Sequence, residues 1–196
     1  MDTQFLKNID IESSRKSQPW TYWQLDQFLP VNEFKNFQSE LCSVQSNFLK
    51  REDDEADINF MFLPNLELAK FFLSSDFRSF LESMVQKKLT IYKKSLVQLR
   101  LMTPNSPEFP IHIDSQNEKS LVCLFYLSPD WEPGKGGELC LYNEEQANSL
   151  AATIAPTENR MVAFHSEDRH WHSVKKVSDW NRYSIVTEWI INEELT

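Results

Sequence analysis

The spacing of hydrophobic residues changes near the middle of the chain. In the first half, apolar residues recur at intervals of three and four, which is the spacing of amphipathic helices. This pattern predicts helices over about residues 32–49, 66–73 and 76–85. Ser74 or Ser75 is positioned to cap the third helix, because a serine hydroxyl at that place accepts a hydrogen bond from the first turn.

After Leu89 the apolar positions follow the spacing of β-strands, with turn residues between the runs. Eight strands are predicted, over about residues 91–102, 110–115, 119–127, 137–142, 151–155, 160–165, 170–177 and 181–191. Short strands with polar turns are typical of an antiparallel sandwich or barrel. Helices first and strands second predict an α+β fold, with helical support at about 19–90 and a β core at about 91–191.

The remaining segments complete the predicted organisation. Residues 1–18 are polar and are expected to be a flexible N-terminus, which leaves residues 19–196 as a single domain. The mixture of aromatic and polar residues at 20–28 is compatible with an edge strand. The acidic run at 51–57 is interpreted as a solvated loop rather than as a docking site for a basic substrate.

Composition narrows the classes of function. The net charge of -9 argues against nucleic-acid binding, which depends on lysine and arginine. No apolar run is long enough to cross a bilayer and no hydrophobic leader is present, so we expect a cytoplasmic protein without a membrane partner. Cys123 and Cys140 lie in apolar runs and are predicted to be buried, reduced thiols. The sequence leaves the oligomeric state open.

The tripeptide His112-Ile113-Asp114 is the first candidate for chemistry. Alternate residues of a strand share one face, so His112 and Asp114 are able to point at one metal ion. An imidazole and a carboxylate are two of the three ligands in the facial triad that binds non-haem Fe(II). The alternative is a histidine satisfied within a strand, followed by a solvated turn carboxylate.

The other three histidines, His165, His170 and His172, fall within eight residues of one another. A metal site requires ligands from distant strands, so one of this group is a candidate partner for His112. Each of them has an alternative role, as a surface histidine or as one that hydrogen-bonds to a ligand. The glycines at 134–137 lack the spacing of a phosphate-binding loop and predict a tight turn.

From about residue 91 to 191 the chain resembles the prolyl 4-hydroxylase-like branch of the Fe(II)/2-oxoglutarate-dependent oxygenases. The matching segments, in chain order, are His112-Ile-Asp114, Leu124-Phe-Tyr126-Leu127-Ser128, Trp131, Gly136-Gly137-Glu138-Leu139, Ile154-Ala-Pro156, Asn159-Arg160-Met-Val-Ala-Phe164, Trp171-His172-Ser-Val174 and Arg182-Tyr-Ser184. Both their order and their spacing fit the family. The resemblance implies a double-stranded β-helix (jelly-roll) core.

The resemblance also implies a set of site residues. His112, Asp114 and His172 would bind Fe(II), and Arg182, ten residues after His172, would pair with the far carboxylate of 2-oxoglutarate. A guanidinium suits this role because it stays charged and grips a carboxylate with two hydrogen bonds. The alternative is that Arg182 begins its strand in solvent. Tyr126 is either a residue of the cosubstrate pocket or part of the core.

The implied reaction hydroxylates a substrate C–H bond, with 2-oxoglutarate and O2 as cosubstrates and ascorbate as an additional reductant. One departure concerns Thr103, since many prolyl hydroxylases have a tyrosine there that helps to hold 2-oxoglutarate. The substrate suggested first is a prolyl or other peptidyl residue, and a free amino acid or small metabolite is also compatible. Two other classes remain, a cupin-like metal protein without 2-oxoglutarate and a catalytically silent binding module of the same fold.

Overall fold

Helices occupy mainly the first half of the computed structural model of the protein, which describes residues 2–42, 49–52, 57–62, 66–92, 97–114 and 119–192. The helices of these ranges are α1 (Ile11–Ser14), α2 (Val31–Cys42), α3 (Glu67–Phe72) and α4 (Ser75–Val85), with short 3-10 helices at Gln4–Asn8 and Ala147–Ser149. Ser74 caps α4, since its hydroxyl accepts a hydrogen bond of 3.1 Å from the backbone N–H of Phe77.

Strands occur along the whole described chain and dominate its second half. They are β1 (Arg15–Lys16), β2 (Tyr22–Leu25), β3 (Leu49–Glu52), β4 (Asp57–Phe62), β5 (Lys88–Ile91), β6 (Val97–Met102), β7 (Phe109–His112), β8 (Ser120–Tyr126), β9 (Leu139–Tyr142), β10 (Leu150–Ile154), β11 (Met161–Ser166), β12 (His172–Val174) and β13 (Arg182–Asn192). The last eight, β6 to β13, correspond to the eight predicted strands. The first prediction, 91–102, joined the end of β5 to β6.

Within the described residues, all strand pairs are antiparallel and form two sheets. The larger sheet has the order β1-β2-β11-β8-β13-β6-β4-β3, with β5 also paired to β13, and the smaller has the order β10-β9-β12-β7. From β6 to β13 the backbone passes back and forth between the two sheets. This arrangement is compatible with the double-stranded β-helix that the family resemblance implied, and the predicted α+β class is confirmed.

Strand β8 separates two hydrophobic cores, and every one of its residues is buried. Leu121, Cys123 and Phe125 face the helices and belong to the larger core. Val122, Leu124 and Tyr126 face the space between the two sheets. Burying a large apolar side chain stabilises a fold by about 1.5–3 kcal/mol, so both faces of this strand contribute. The helices therefore cover one face of the larger sheet and leave the other for a site.

Three parts of the first half differ from expectation. Phe5 and Leu6 pack into the larger core, although the first 18 residues were expected to be poorly packed. The helix predicted over 32–49 ends at Cys42 in the described part, Leu49 already lies in β3, and residues 43–48 lie outside the described residues. The acidic run was interpreted as a loop, but its two ends pair as β3 and β4, and 53–56 lie outside the described residues.

Other predictions are confirmed. Cys123 and Cys140 are buried free thiols. The glycines at 134–137 lie in the turn before β9. In the described ranges no helix is both long and apolar enough to cross a membrane.

Candidate metal centre

Two neighbouring strands of the smaller sheet bring the histidines together. His112 is the last residue of β7 and His172 is the first residue of β12. The two residues are direct partners in the antiparallel register, and their ring centroids are 4.2 Å apart. Asp114 lies in a bend two residues after β7, although the sequence predicted a strand through 115. The bend, and not the alternation of a strand, directs this carboxylate toward the histidines.

The three side groups converge on a single point. Their potential ligand atoms all lie within 4.8 Å of one another, the spacing of donors around one metal ion. Nε2 of His112 is 3.6 Å from one carboxylate oxygen of Asp114, and Nε2 of His172 is 3.4 Å from the other. The structure therefore assembles the three residues that the family resemblance implied as iron ligands.

Backbone carbonyls orient both imidazoles. Nδ1 of His112 is 2.8 Å from the carbonyl oxygen of Pro110, and Nδ1 of His172 is 2.9 Å from that of His170. A carbonyl only accepts, so each Nδ1 carries the proton and donates it. Each Nε2 is then left with the lone pair that a metal requires, which is the usual arrangement behind histidine ligands.

The charges at this point fit a cation. Burial favours the neutral form of Asp114, but the imidazoles of His172 and His112 outweigh burial and hold the pKa of the carboxyl well below its usual range. Its Oδ2 is buried and has no hydrogen-bond donor in suitable geometry. A buried anionic oxygen without a donor is costly, and a metal ion would satisfy it.

Arg182 lines the same cavity and forms a second polar group with Tyr126, which lies against it. Arg182, the first residue of β13, is only 4% exposed, which excludes the alternative that it begins its strand in solvent. Its Nη1 donates to Ser184 Oγ at 3.2 Å, and its Cζ lies 5.0 Å from the centroid of the Tyr126 ring. Burial lowers the pKa of Arg182 and raises that of Tyr126.

Two atoms of this group have no partner. Arg182 Nε and the Tyr126 hydroxyl are both buried without a hydrogen bond. No carboxylate of the described residues forms an ion pair with Arg182. A buried guanidinium of this kind is stabilised by an anion that accepts from it, and a ligand carboxylate has the required charge and shape. The geometry of the residues present therefore fits 2-oxoglutarate.

Gly137 makes room for the arginine. Its φ of +81° lies in the left-handed region, and a Cβ on this residue would stand 2.9 Å from Cδ of Arg182. Glycine at this position is thus required both by the turn and by the close approach of the Arg182 side chain.

His165 and His170 lie away from the metal centre. His170 stacks on Trp20 at 4.6 Å, and its Nδ1 is 2.7 Å from the carbonyl oxygen of His165. His165 packs against Trp23 and lies 3.5 Å from Glu167. Among the described residues, only His112, Asp114 and His172 form a potential metal-binding group.

The cavity between the sheets encloses about 850 Å³, including the space at its opening. Its walls contain the three clustered residues, Arg182 and several apolar side chains. Arg100, Glu108 and Glu188 also line it, and sequence reasoning did not identify them as site residues. The alternation of side chains along β6 and β13 is the sequence signal that could have pointed to Arg100 and Glu188. The pairing register of these strands is needed, however, to know which face of the sheet lines the cavity. Thr103 directly precedes a turn, and its carbonyl oxygen accepts from the backbone N–H of Ser106, while its neighbour Met102 lines the cavity.

Known structures share this architecture. A Pseudomonas putida prolyl-4-hydroxylase is 16% identical, with a TM-score of 0.67 over 88% of this chain and 93% of that one. A Trichoplax adhaerens prolyl hydroxylase in complex with a hypoxia inducible factor peptide fragment is 19% identical, with a TM-score of 0.71 over 96% and 90%. The epimerase SnoN, in complex with Fe3+, alpha ketoglutarate and nogalamycin RO, is 12% identical, with a TM-score of 0.64 over 96% and 84%. At these identities the similarity concerns the fold.

A family model extends the comparison to sequence. Residues 97–191 match the model described as the 2OG-Fe(II) oxygenase superfamily. This segment covers strands β6 to β12 and nearly all of β13. This segment, which also contains the clustered histidines and aspartate together with Arg182, is thus similar in sequence to the 2OG-Fe(II) oxygenase superfamily.

Proposed function

We propose that the protein is a non-haem Fe(II) dioxygenase, with the metal held by His112, Asp114 and His172 and 2-oxoglutarate held at Arg182. The observation that supports this most is a set of three buried polar atoms without hydrogen-bond partners, two on residues that line one cavity and the third on Tyr126, whose ring lies against Arg182. They are Asp114 Oδ2, the Tyr126 hydroxyl and Arg182 Nε. The first suits a cation and the other two suit an anion, which matches a metal ion and a dicarboxylate bound side by side.

The protein residues orient the reactants. Two imidazoles and one carboxylate on one side of a metal leave its opposite side open to cosubstrates. The Tyr126 hydroxyl and Arg182 Nε are both donors without an acceptor in the protein, and they would hold the far carboxylate of 2-oxoglutarate. Apolar side chains, including Leu124, Phe164 and Val186, line the cavity and exclude water from it.

Fe(II) and 2-oxoglutarate, when bound, reduce O2 so that one oxygen atom enters the substrate as a hydroxyl group, the other enters succinate, and CO2 leaves. The protein holds both reactants in a dry cavity and requires no side-chain general base for this reaction.

The class of substrate is part of the proposal. The Trichoplax protein named above is in complex with a peptide fragment, and SnoN is in complex with a small molecule. A prolyl or other peptidyl residue and a small metabolite are therefore both compatible with this fold.

The experiment measures succinate formation by the purified protein with Fe(II), 2-oxoglutarate and O2. We expect succinate to require both Fe(II) and 2-oxoglutarate, and the Asp114→Ala variant to lose metal binding and turnover. His170→Ala is the matched control, because its imidazole lies two residues from His172 but outside the cluster, and it should retain metal binding.

Three results would contradict the proposal. Decarboxylation at the normal rate in Asp114→Ala would remove this residue from the metal centre. Oxygen uptake that does not depend on 2-oxoglutarate would favour a cupin-like metal protein. Metal and 2-oxoglutarate binding with no turnover on any substrate would favour a silent binding module.

A further inference from the structure

An aromatic side chain lies beside the metal centre at a position that neither the metal nor the 2-oxoglutarate site uses. Phe109 is the first residue of β7, lines the cavity and is half-buried. Its ring centroid lies 4.3 Å from that of His112, in an edge-to-face arrangement. The ring therefore forms the part of the cavity wall that is directly next to a proposed metal ligand.

An irregularity in strand pairing turns Phe109 toward the cavity. Phe109 and His112 are three residues apart, so a regular strand would place them on opposite faces. Their partners on β12, Val174 and His172, are only two residues apart, because the register shifts between the two pairs. Such a bulge re-aims side chains and is common beside active sites, and it accommodates Pro110, which has no N–H to donate. As a result, both Phe109 and His112 line the cavity.

The segment that leads into Phe109 is held in place by hydrogen bonds. Ser106 is 5% exposed, and its backbone N–H donates to the carbonyl oxygen of Thr103 at 2.8 Å. In return, Ser106 Oγ accepts from the backbone N–H of Thr103 at 3.0 Å. The Phe109 ring is thus attached to a fixed turn on one side and to a strand on the other, and it forms a firm surface for a ligand.

Apolar side chains surround the space in front of this ring. Val174, the cross-strand partner of Phe109, lines the cavity from the smaller sheet. Val122, Leu124 and Val186 line it from the larger sheet. A ligand group that packs between these walls is stabilised roughly in proportion to the apolar area that it removes from water.

Two charged residues that line the cavity, Arg100 and Glu188, already have partners in the protein. Nε of Arg100 donates to Gln98 at 3.2 Å, and Oε1 of Glu188 accepts from Ser120 at 2.7 Å. Glu108 also lines the cavity but is exposed, so its carboxylate remains in water. The other two charges are assigned to the metal and to 2-oxoglutarate. A charged substrate group next to the metal would therefore lose its hydration without a compensating partner among the described residues, which costs free energy.

We propose that Phe109 forms the substrate subsite next to the metal, and that this subsite binds an uncharged, apolar group whose aliphatic C–H bonds pack against the ring. This inference rests on the proposed function and specifies its class of substrate. In the reaction, one of these C–H bonds becomes C–OH, while 2-oxoglutarate and O2 give succinate and CO2. An apolar side chain of a peptide and the hydrocarbon part of a small metabolite share this chemistry.

The experiment uses the full-length protein with Fe(II) and 2-oxoglutarate and compares probes that match in shape but differ in polarity. The N-acetyl amides of leucine and valine are compared with those of asparagine and threonine, and the N-acetyl amide of proline adds a cyclic apolar probe. 4-Methylpentanamide and succinamide form the same comparison without a peptide backbone. Succinate and hydroxylated product are measured by mass spectrometry, and binding without turnover is measured by anaerobic calorimetry. We expect at least one apolar probe to bind and to stimulate succinate formation, and the polar probes to do neither.

Two variants assign the subsite to its residues. Phe109→Ala removes the apolar surface of the ring and should raise KM for the active probe about 10- to 100-fold, while the Kd for 2-oxoglutarate stays unchanged. Because this ring contacts His112, Fe(II) binding is measured in parallel. Val174→Thr keeps the shape of the side chain but places a hydroxyl in the subsite, so it should raise the same KM several-fold without removing that contact. Val31→Thr is the matched control, since Val31 is 61% exposed and lies outside the cavity lining.

The outcomes separate this inference from the function on which it rests. If polar probes bind and stimulate turnover as well as their apolar counterparts, or if both cavity variants leave KM at the value of Val31→Thr, the assigned subsite is wrong. If Fe(II) and 2-oxoglutarate bind but no apolar probe stimulates turnover, the subsite is again wrong, and the proposed function stands. If Fe(II) and 2-oxoglutarate fail to bind, both proposals are overturned.

The two sets of probes also distinguish the source of the apolar group. Turnover with an apolar N-acetyl amide but not with 4-methylpentanamide supports the subsite and assigns the group to a peptide. Turnover with 4-methylpentanamide but not with the N-acetyl amides supports the subsite and assigns the group to a small molecule.

Discussion

The two ends of the cavity hold their charges in different ways. At the inner end, Arg182 and Tyr126 are buried and each leaves a polar atom without a partner. At the outer end, Arg100 and Glu188 are partly exposed and are held by Gln98 and Ser120. The inner end is thus incomplete without a ligand, whereas the outer end is stable without one.

This difference indicates a division of roles. A buried cation that lacks an anionic partner destabilises the fold, so the inner end is suited to a cosubstrate that is bound in every reaction cycle. Partly exposed charges cost less when the site is empty, so the outer end is suited to a substrate that enters and leaves. Variants at each end test whether the two ends act separately.

The largest loss of 2-oxoglutarate affinity is expected for Arg182→Ala. Removing one partner of a buried, hydrogen-bonded charge pair costs about 2–5 kcal/mol, so the Kd for 2-oxoglutarate should rise by roughly 30-fold to several thousand-fold. Fe(II) binding in the absence of 2-oxoglutarate should not change. Anaerobic calorimetry measures both constants, and Arg182→Lys should recover only part of the loss because it lacks the planar fork. Unchanged 2-oxoglutarate affinity would remove Arg182 from the inner site.

The next largest effect is expected for the dependence of metal affinity on pH. Burial and Arg100 lower the pKa of His172, but Asp114 and the carbonyl of His170 outweigh them and raise it above its ordinary value. Metal binding requires the neutral imidazole, so below this raised pKa the apparent metal affinity should fall up to about tenfold for each unit of pH. Titration in buffers of different ionisation enthalpy should show release of a proton on binding.

Stability of the metal-free protein should change in the opposite direction. Because the pKa of His172 is raised by folding, its contribution to stability is complete below the ordinary histidine value of about 6.5 and is lost as the pH rises through the raised value. Denaturant unfolding at several pH values measures this change in stability.

The metal titration has its own contradicting outcome. Metal affinity that stays constant from about pH 8 to below the ordinary histidine pKa would contradict the assignment of His172.

Tyr126→Phe is expected to have a smaller effect at the inner end. The variant keeps the buried ring and removes only the hydroxyl that donates to the ligand, which costs about 1.5 kcal/mol, or roughly a tenfold increase in the Kd for 2-oxoglutarate. Thermal unfolding of the ligand-free protein should change little, since this hydroxyl has no partner in the protein. A clear loss of ligand-free stability with normal 2-oxoglutarate binding would make Tyr126 a core residue only.

The smallest effect on 2-oxoglutarate binding at the inner end is expected for Glu188→Gln. The substituted amide keeps an oxygen that accepts from Ser120, so neither the fold nor the Kd for 2-oxoglutarate should change measurably. Arg182→Ala, by contrast, acts on 2-oxoglutarate and leaves the outer end intact. Calorimetry with 2-oxoglutarate compares the two ends. If the Glu188 variant weakens 2-oxoglutarate binding as much as Tyr126→Phe does, the two ends of the cavity are not separate sites.

The sequence singled out the residues that the structure brings together at the inner end, because short, spaced motifs contain them. His112, Asp114, His172 and Arg182 occur at the intervals that the family requires, and the alternation of apolar residues located the strands that position them. The geometry around Asp114 was not predictable, since the strand ends at His112 and a bend directs the carboxylate. A bend of this kind depends on neighbouring segments and has no signature in residue spacing.

The outer end was missed for a different reason. Arg100 and Glu188 are polar residues within strands, and a strand with one solvated face contains such residues as a rule. Only the register, which pairs Arg100 with Ser184 and Glu188 with Val122, shows that both face the cavity. In the same way, the packing of Phe5 and Leu6 depends on surfaces of α3 and α4 that the local sequence does not reveal.

The most direct measurement is an anaerobic titration of the protein with Fe(II) and 2-oxoglutarate, followed by calorimetry and by the visible charge-transfer absorption of the ternary complex. If His112, Asp114 and His172 bind the metal and Arg182 binds the cosubstrate, one Fe(II) should bind per protein molecule. The absorption should then appear only when both ligands are present. Asp114→Ala should lose metal and absorption, and Arg182→Ala should lose only the absorption at ordinary 2-oxoglutarate concentrations. Retention of stoichiometric Fe(II) and of the absorption in Asp114→Ala would contradict the account.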